Sequence, residues 1–435
     1  MYIVSAFQGR PRAGKNRAPL RTRVALFAGC AVCLVHLQAR AADPPAQDPR
    51  DAMIQQLLKR VEALESEMKE QRIGGLIPKH SPPLSTSPVL PPPDLPEVAA
   101  HDRFPQLEFH GFGEISYGAN DRNGRDNSFA LGQTDFFLTS RLSDTVDILA
   151  EMVVEAGTDN RLEFQLERLQ FNYRPRDYFN ISAGRYHTAI GYYSTAYHHG
   201  TWFQTATGRP FIFAFEDVGG ILPIHSVGVS ATGQIPTASL GLHYVVEVGN
   251  GRHYSNGEEE PQPVLNVVDD NDYKSVNLAL YARPDWAPGW QFGFSAYHDK
   301  VTPAGLPRID QSIVAAYAVW QKPRFEWLNE VLWFRHKPVD GTATYSLAAY
   351  TQMSRQWGAW RPYLRYQYLY AQQDDLIFST FGRPGYGEAG LTHGPSIGLR
   401  YDFSDLAALK FQFDHYWQGG RASVNQFTAQ VGYTF

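Results

Sequence analysis

The 435-residue chain has room for one large barrel or roughly two to three ordinary domains. No apolar run in it approaches the ~20 residues of a membrane-spanning helix, which excludes a helical membrane protein. The formal charge is −5, and −12 without the first 42 residues, which argues against a nucleic-acid partner.

Residues 1–42 read as an export signal. Arg10, Arg12, Lys15, Arg17, Arg21 and Arg23 form a basic stretch, Val24–Leu37 is apolar, and Ala39-Arg40-Ala41 offers a small-x-small cleavage site. The basic stretch is long, which leaves the true start codon open. Cys30 after Ala28-Gly29 also resembles a lipoprotein box, although Phe27 fits that box poorly. Cys30 and Cys33 are the chain's two cysteines, so the processed protein would have no disulfide and no cysteine metal site. Cleavage removes seven basic residues and no acidic one, taking the formal charge from −5 to −12.

Asp48-Pro49 has the form of a helix start, with Asp as N-cap and Pro in the first turn. Ile54, Leu57, Val61, Leu64 and Met68 then recur at alternating spacings of three and four, the a/d seam of a coiled coil over 48–72. A helix this short is marginal alone, so it either self-associates or lies on another surface. Ile and Val at a with Leu at d favour a dimer. Residues 73–105 are a linker, rich in Pro and Ser from Pro78 onward, that is extended and builds no core.

From residue 106 to 435 strand-like stretches recur. Sixteen are expected, near 107–118, 128–142, 145–157, 161–174, 177–187, 223–234, 238–249, 273–283, 288–298, 309–320, 323–336, 343–355, 360–371, 390–403, 406–417 and 424–435. Each could cross a membrane as a tilted strand of ~9–11 residues. Tight turns at Ser143-Asp144, Pro175-Arg176, Gln321-Lys322 and Ser404-Asp405 alternate with connections such as Thr188–Leu222, Asn250–Asp272 and Gln372–Ala389. Short turns at one end and long loops at the other are a barrel pattern, so the fold expected is an all-β transmembrane antiparallel barrel.

The strands alternate in polarity. Phe109, Gly111, Gly113, Ile115 and Tyr117 oppose Glu108, His110, Phe112, Glu114 and Ser116; Leu409, Phe411, Phe413 and Trp417 oppose Lys410, Gln412 and Asp414. A Lys or Arg facing lipid costs roughly 2–4 kcal/mol at mid-membrane, so the polar faces should point inward. Strand 161–174 changes phase between Leu166 and Leu169, which predicts a bulge near Glu167-Arg168. About sixteen strands enclose a lumen too wide for side chains to fill, and a charged lumen holds water. Candidate lining residues are Arg141, Arg168, Arg185, Arg209, Arg365, Arg400 and Lys410, with Glu114, Glu151, Glu155, Glu163 and Glu167. Signs on opposite walls would set up a transverse field, whereas paired signs would stiffen the wall.

The connection 188–222 is aromatic, with Tyr192, Tyr193, Tyr197, Trp202, Phe203, Phe211, Phe213 and Phe215. Its polar candidates for a narrowing are His198, His199, Arg209, Glu216 and Asp217. Folding into the barrel would bury it and constrict the lumen; packing as an outer lid is the alternative. Adjacent histidines on an extended stretch point opposite ways, so His198-His199 is not read as a metal site. Glu258-Glu259-Glu260 and Asp269-Asp270-Asn271-Asp272 could hold a divalent cation or bridge to lipopolysaccharide, or be a solvated acidic loop. No cofactor is implied, and no nucleophile–base constellation points to an enzyme.

The ending carries a resemblance. Phe427, Val431, Tyr433 and Phe435 share one face of the last strand, and the chain stops on the aromatic residue. This resembles the C-terminal signal of bacterial outer-membrane barrels, read by their insertion machinery. Ala183-Gly184-Arg185-Tyr186-His187-Thr188-Ala189-Ile190-Gly191, then His198-His199, Arg209-Pro210 and the strand containing Gly228, resemble porin-like proteins of the phosphate-selective-porin group. That family pattern often reads Gly-Arg-Phe-x-x-Pro-Phe-Gly, and Ala189-Ile190 depart from it. The resemblance implies a trimer of sixteen-stranded barrels in the outer membrane, among lipid and lipopolysaccharide, with a periplasmic helix and an inward-folded third loop. The function expected is passive diffusion of small hydrophilic solutes. Alternatives are a non-conducting barrel with a structural, adhesive or enzymatic role, and a soluble secreted β-protein.

Overall fold

The computed structural model describes residues 104–122, 127–156, 161–197, 200–216, 220–254, 267–303, 305–381 and 389–435. The expected signal, the helix with its seam and nearly all of the linker lie outside these residues.

The described chain forms sixteen antiparallel strands closed into one barrel, each hydrogen-bonded to its sequence neighbours, with the first paired to the last. They are β1 Gln106–Asn120, β2 Ser128–Arg141, β3 Val146–Ala156, β4 Leu162–Arg176, β5 Phe179–His187, β6 His225–Ile235, β7 Leu242–Gly249, β8 Ser275–Ala282, β9 Trp290–Val301, β10 Ile309–Lys322, β11 Phe325–Pro338, β12 Thr344–Arg355, β13 Trp360–Ala371, β14 Gly390–Ser404, β15 Ala407–Gln418 and β16 Val424–Thr434. Two short helices lie in long connections, α1 Tyr193–Ala196 and α2 Leu376–Phe381. The sixteen expected strands are the sixteen found, with ends shifted by a few residues. Closure leaves no sheet edge to pair with another chain.

Polarity decides which way each strand faces. Phe109, Ile115, Met152, Ile397, Phe411, Phe413 and Trp417 are exposed on the outside, whereas Phe112, Glu151, Ser396, Lys410 and Asp414 are buried on the inside. Aromatic rings gather outside at the short-turn end: Trp290 stacks on Trp320 at 5.8 Å and Trp360 lies 4.3 Å from Tyr401. Arg168 and Leu166 pair with the consecutive residues Glu151 and Met152, leaving Glu167 as the extra residue of a bulge where the phase change predicted one. A second bulge, between Leu131 and Thr134 of β2, opposes Glu114.

Two strands depart from the polar-inward rule. Ile309, Ile313, Ala315 and Val319 of β10 and Leu328, Leu332 and Phe334 of β11 are buried and face inward. The connection between β5 and β6 covers them in place of water.

Candidate functional site

The site is built by residues 188–224, which join β5 to β6. Its described residues carry little regular structure: α1, a turn at 200–204 and a 3-10 turn at Phe211–Phe213. Its buried backbone groups need partners from elsewhere. Side chains of the barrel wall supply them. Glu247 of β7 accepts the Ala189 N–H at 3.0 Å, and Asn277 of β8 donates to the Ala189 carbonyl at 3.2 Å. Glu330 of β11 accepts the N–H groups of Tyr192 at 2.6 Å and Tyr193 at 2.9 Å, as well as the Tyr350 hydroxyl at 2.6 Å. Gln367 of β13 accepts the Phe211 N–H at 2.7 Å, and Arg365 donates to the Gly208 carbonyl at 2.8 Å. Arg400 of β14 donates to the carbonyls of Trp202 at 2.6 Å and Gln204 at 3.0 Å. Lys410 of β15 donates to the Thr201 carbonyl, and Gln430 of β16 to that of Thr207 at 3.1 Å. The anchors run from β7 round to β16, and the described residues of the segment bond inward-facing side chains of the wall.

Its apolar side chains complete the fit. The Tyr193 ring lies 5.0 Å from Tyr197, 5.6 Å from Phe213 and 5.9 Å from Tyr350. Tyr197 donates its hydroxyl to Glu326 at 2.9 Å. These rings join the apolar inner faces of β10 and β11 in one buried cluster, which also holds Ile377 and Phe378 of α2. Asp375 fixes α2: it accepts the Ile377 and Phe378 N–H groups at 3.0 Å each and faces His336 Nδ1 at 2.8 Å.

A charged cluster holds the far end of the segment. Glu216 accepts the N–H groups of Ile224 at 2.7 Å and His225 at 3.0 Å, and its other oxygen lies 3.1 Å from His225 Nδ1. Burial pushes the Glu216 carboxyl up, yet the charges of His225 and Arg252 and the hydrogen bonds outweigh it and hold it down at about 2. His225 Nε2 lies 2.6 Å from Glu167, the bulged residue, and Arg185 lies 3.6 Å from the same carboxylate. Arg209 stands over the Phe215 ring at 4.0 Å, and burial lowers it to about 10.

The sequence-derived candidates therefore fall into groups. Arg185, Arg365, Arg400 and Lys410 are buried, each donating to a backbone carbonyl. Arg168 pairs with Glu151 across adjacent strands, as Arg185 does with Glu167, so these signs meet on one wall. Glu155 accepts from Gln133 at 3.2 Å, and Glu163 stands opposite Glu155. Arg141 is exposed at the short-turn end, bonded to Gln106 at 3.1 Å. Trp202 lies beneath the Arg400 guanidinium at 4.7 Å. A cavity of about 270 Å³ between the segment and β1–β3 is lined by Glu114, Gln133, Glu155, Thr201, Thr207 and Arg209 among others. His198, His199, Asp217 and Glu258–Glu260 lie outside the described residues. Asp269 pairs with Lys274 at 2.5 Å and Asp270 with His253 at 2.8 Å. No described group of three His, Cys, Asp or Glu could hold a metal ion.

Sequence reasoning missed Glu247, Glu326, Glu330 and Gln367. The alternation of β11 against exposed Trp333 marks Glu330 as inward, but nothing local says that it grips a loop more than a hundred residues away in sequence.

No family model matches the chain, and no curated protein matches it. Solved structures do resemble it. The anion-selective porin from Comamonas acidovorans is 12% identical, covering 76% of this chain and 99% of that one, with a TM-score of 0.53. OmpF of Salmonella typhi, in a complex with daunomycin, is 12% identical over 76% of this chain and 98% of that one, with a TM-score of 0.52. The trimer form of in-vitro folded OmpT, an outer membrane protein of Vibrio cholerae, is 10% identical over 77% of this chain and 100% of that one, with a TM-score of 0.51. What the chain shares with these proteins is the fold, a closed sixteen-stranded antiparallel barrel.

Proposed function

We propose that the protein is an outer-membrane channel for passive diffusion of small hydrophilic solutes, narrowed by residues 188–224. One observation carries this reading: a barrel apolar outside holds a long connection against its inner wall through charged and amide side chains from β7 to β16. A segment held this way narrows the interior at a defined depth. The channel runs past Glu155, Glu163 and the Arg168–Glu151 pair, on the side away from the buried aromatic cluster.

The remaining parts follow from that reading. The export signal and the aromatic face of β16, with Phe427, Val431 and Tyr433 in line with Phe435, deliver the chain to the insertion machinery. Outer-membrane lipid and lipopolysaccharide surround the apolar band. The seam Ile54–Met68 lies in the periplasm and supports a homotrimer, the state named for the Vibrio cholerae neighbour. Purified protein in planar bilayers gives stepwise conductance on this reading; a protein that inserts and never conducts sinks it. The buried cluster around Tyr193, Phe213, Phe334 and Phe378 favours one competing reading, a plugged barrel with a structural role, and that same null result would support it.

A further inference from the structure

The outer face of the barrel changes character over β9–β11 at the loop end. The strand register sets its residues in rows. Leu278, Ala296, Val314, Trp333 and Leu347 form an apolar row. The next row toward the loops is Val276, His298, Ser312, Arg335 and Tyr345, and beyond it stand Lys300, Asp310 and Lys337. These positions alternate with the buried Tyr297, Ile313 and Phe334, so they face outward. Trp333 stacks on Tyr345 at 5.4 Å, an aromatic pair at the boundary where the wall turns from apolar to basic. Elsewhere at this end the outward residues differ: Phe129 of β2, Phe164 of β4, Trp417 of β15 and Phe427 of β16 are exposed. Cations that only flank an apolar band would recur around the ring, whereas these occupy one sector.

The cations of this sector are gathered without carboxylates to balance them. Arg308, just before β10, donates to the Tyr273 hydroxyl at 2.7 Å and lies over that ring at 5.2 Å. Lys300 Nζ lies over the same ring at 4.8 Å. Arg335 and Lys337 are two residues apart on one strand face, about 7 Å along β11. Among the described residues, none of Lys300, Arg308, Arg335 and Lys337 forms an ion pair, whereas Lys274, next to Tyr273 in sequence, is matched by Asp269 at 2.5 Å. Asp310, between Lys300 and Lys337 in register, and Asp272 and Asp340 in the flanking loops form no ion pair with them either. Like charges gathered at the edge of an apolar surface repel one another, and a multivalent anion relieves that repulsion. In the first polar rows above an apolar band, the anion at hand is the phosphate of a lipid headgroup. Guanidinium and ammonium groups both bind phosphate.

We propose that this outward sector of β9–β11 holds the phosphates of an outer-leaflet lipid, whose chains lie along Val314, Trp333 and Leu347. The inference rests on the outer-membrane part of the reading above and not on conduction. Arg335 and Lys337 take one phosphate. Lys300 and Arg308 take another, two strands away, about 10 Å across the sheet. A headgroup bearing two phosphates therefore matches the sector better than a headgroup bearing one.

The test uses the full protein, stripped of lipid in detergent. Native mass spectrometry follows its titration with diphosphoryl lipid A, monophosphoryl lipid A and phosphatidylcholine, with inorganic phosphate as competitor. Diphosphoryl lipid A should bind saturably and several-fold more tightly than the other two. Arg335→Gln combined with Lys337→Gln should weaken that binding roughly tenfold or more. Lys322→Gln combined with Arg324→Gln, exposed at the short-turn end of the same strands, should leave it unchanged. Phosphatidylcholine matching lipid A, or undiminished binding in the Arg335 and Lys337 double variant, overturns the site. Equal binding of the two lipid A forms overturns the two-phosphate match. Inorganic phosphate that displaces the lipid at equal concentration overturns the lipid as occupant. Loss of the oligomer in the double variant, with no lipid bound by the wild type, makes the sector an interface between copies and likewise overturns the proposal. Lipid A bound by a barrel that never conducts supports this inference while defeating the channel reading, and a conducting barrel that binds none does the reverse. Heat-modifiable migration on gels verifies that each variant is a folded barrel.

Discussion

Glu330 of β11 accepts the backbone N–H of Tyr193 at 2.9 Å, and with it those of Tyr192 and the Tyr350 hydroxyl. One buried carboxylate thus ties the start of the segment between β5 and β6 to the wall. Replacing it by Ala leaves three donors without this acceptor, and for the two buried ones, the Tyr193 N–H and the Tyr350 hydroxyl, each such loss costs about 1–3 kcal/mol. Glu330→Ala should lower the melting temperature and make single-channel current noisier, with more frequent transitions between sublevels. Unaltered current noise in a folded variant would show that the segment is held well enough without Glu330.

Glu216 makes a pH prediction. Its carboxyl is held at about 2 in the fold against an ordinary value of 4.5. A lowered carboxyl stabilises the fold fully above the ordinary value, and that contribution is lost as pH falls through the folded value. Thermal stability attributable to this group should therefore decline between about pH 4.5 and about pH 2, and Glu216→Gln should flatten that part of the profile. Melting curves across this range, wild type against variant, decide the matter; parallel profiles refute it.

Gly111 and Phe435 close the barrel. They exchange backbone hydrogen bonds at 2.9 and 3.1 Å, and the Phe435 ring covers the glycine. A Cβ at position 111 would come 2.3 Å from the ring and 2.8 Å from the Asp135 carbonyl. Gly111→Val should reduce the yield of folded, heat-modifiable barrel by several-fold on refolding into detergent. Phe435→Ala should restore part of it in the double variant by vacating the slot. If the double variant fares no better than Gly111→Val, the ring is not the obstacle.

The helix expected over 48–72 should act on assembly alone. Deleting it should weaken the trimer on native gels and leave conductance per barrel unchanged. A trimer of undiminished stability would assign the seam another role.

Much of the barrel is written locally. A strand records its two environments at every second residue, so Phe411 and Phe413 against Lys410 and Gln412 reveal which way each side chain faces. The phase slip at Glu167 was visible for the same reason, because a bulge shifts the period by one. Turn and loop lengths alternate along the chain, which makes the sixteen strands and an antiparallel barrel readable from the sequence.

The site was far less readable. The sequence marks Arg365, Arg400 and Lys410 as inward, but an inward cation can face water, a carboxylate or a backbone carbonyl. Tertiary structure alone brings the carbonyls of Gly208, Trp202 and Thr201 to them across separations of more than 150 residues. The same holds for the apolar inner faces of β10 and β11, which make sense only once Tyr193 and Phe213 lie over them. Periodicity therefore determined the barrel and the direction of each side chain. Long-range packing of one irregular segment decided which of those side chains anchor it, because a loop without regular structure takes its conformation from the surface that satisfies it.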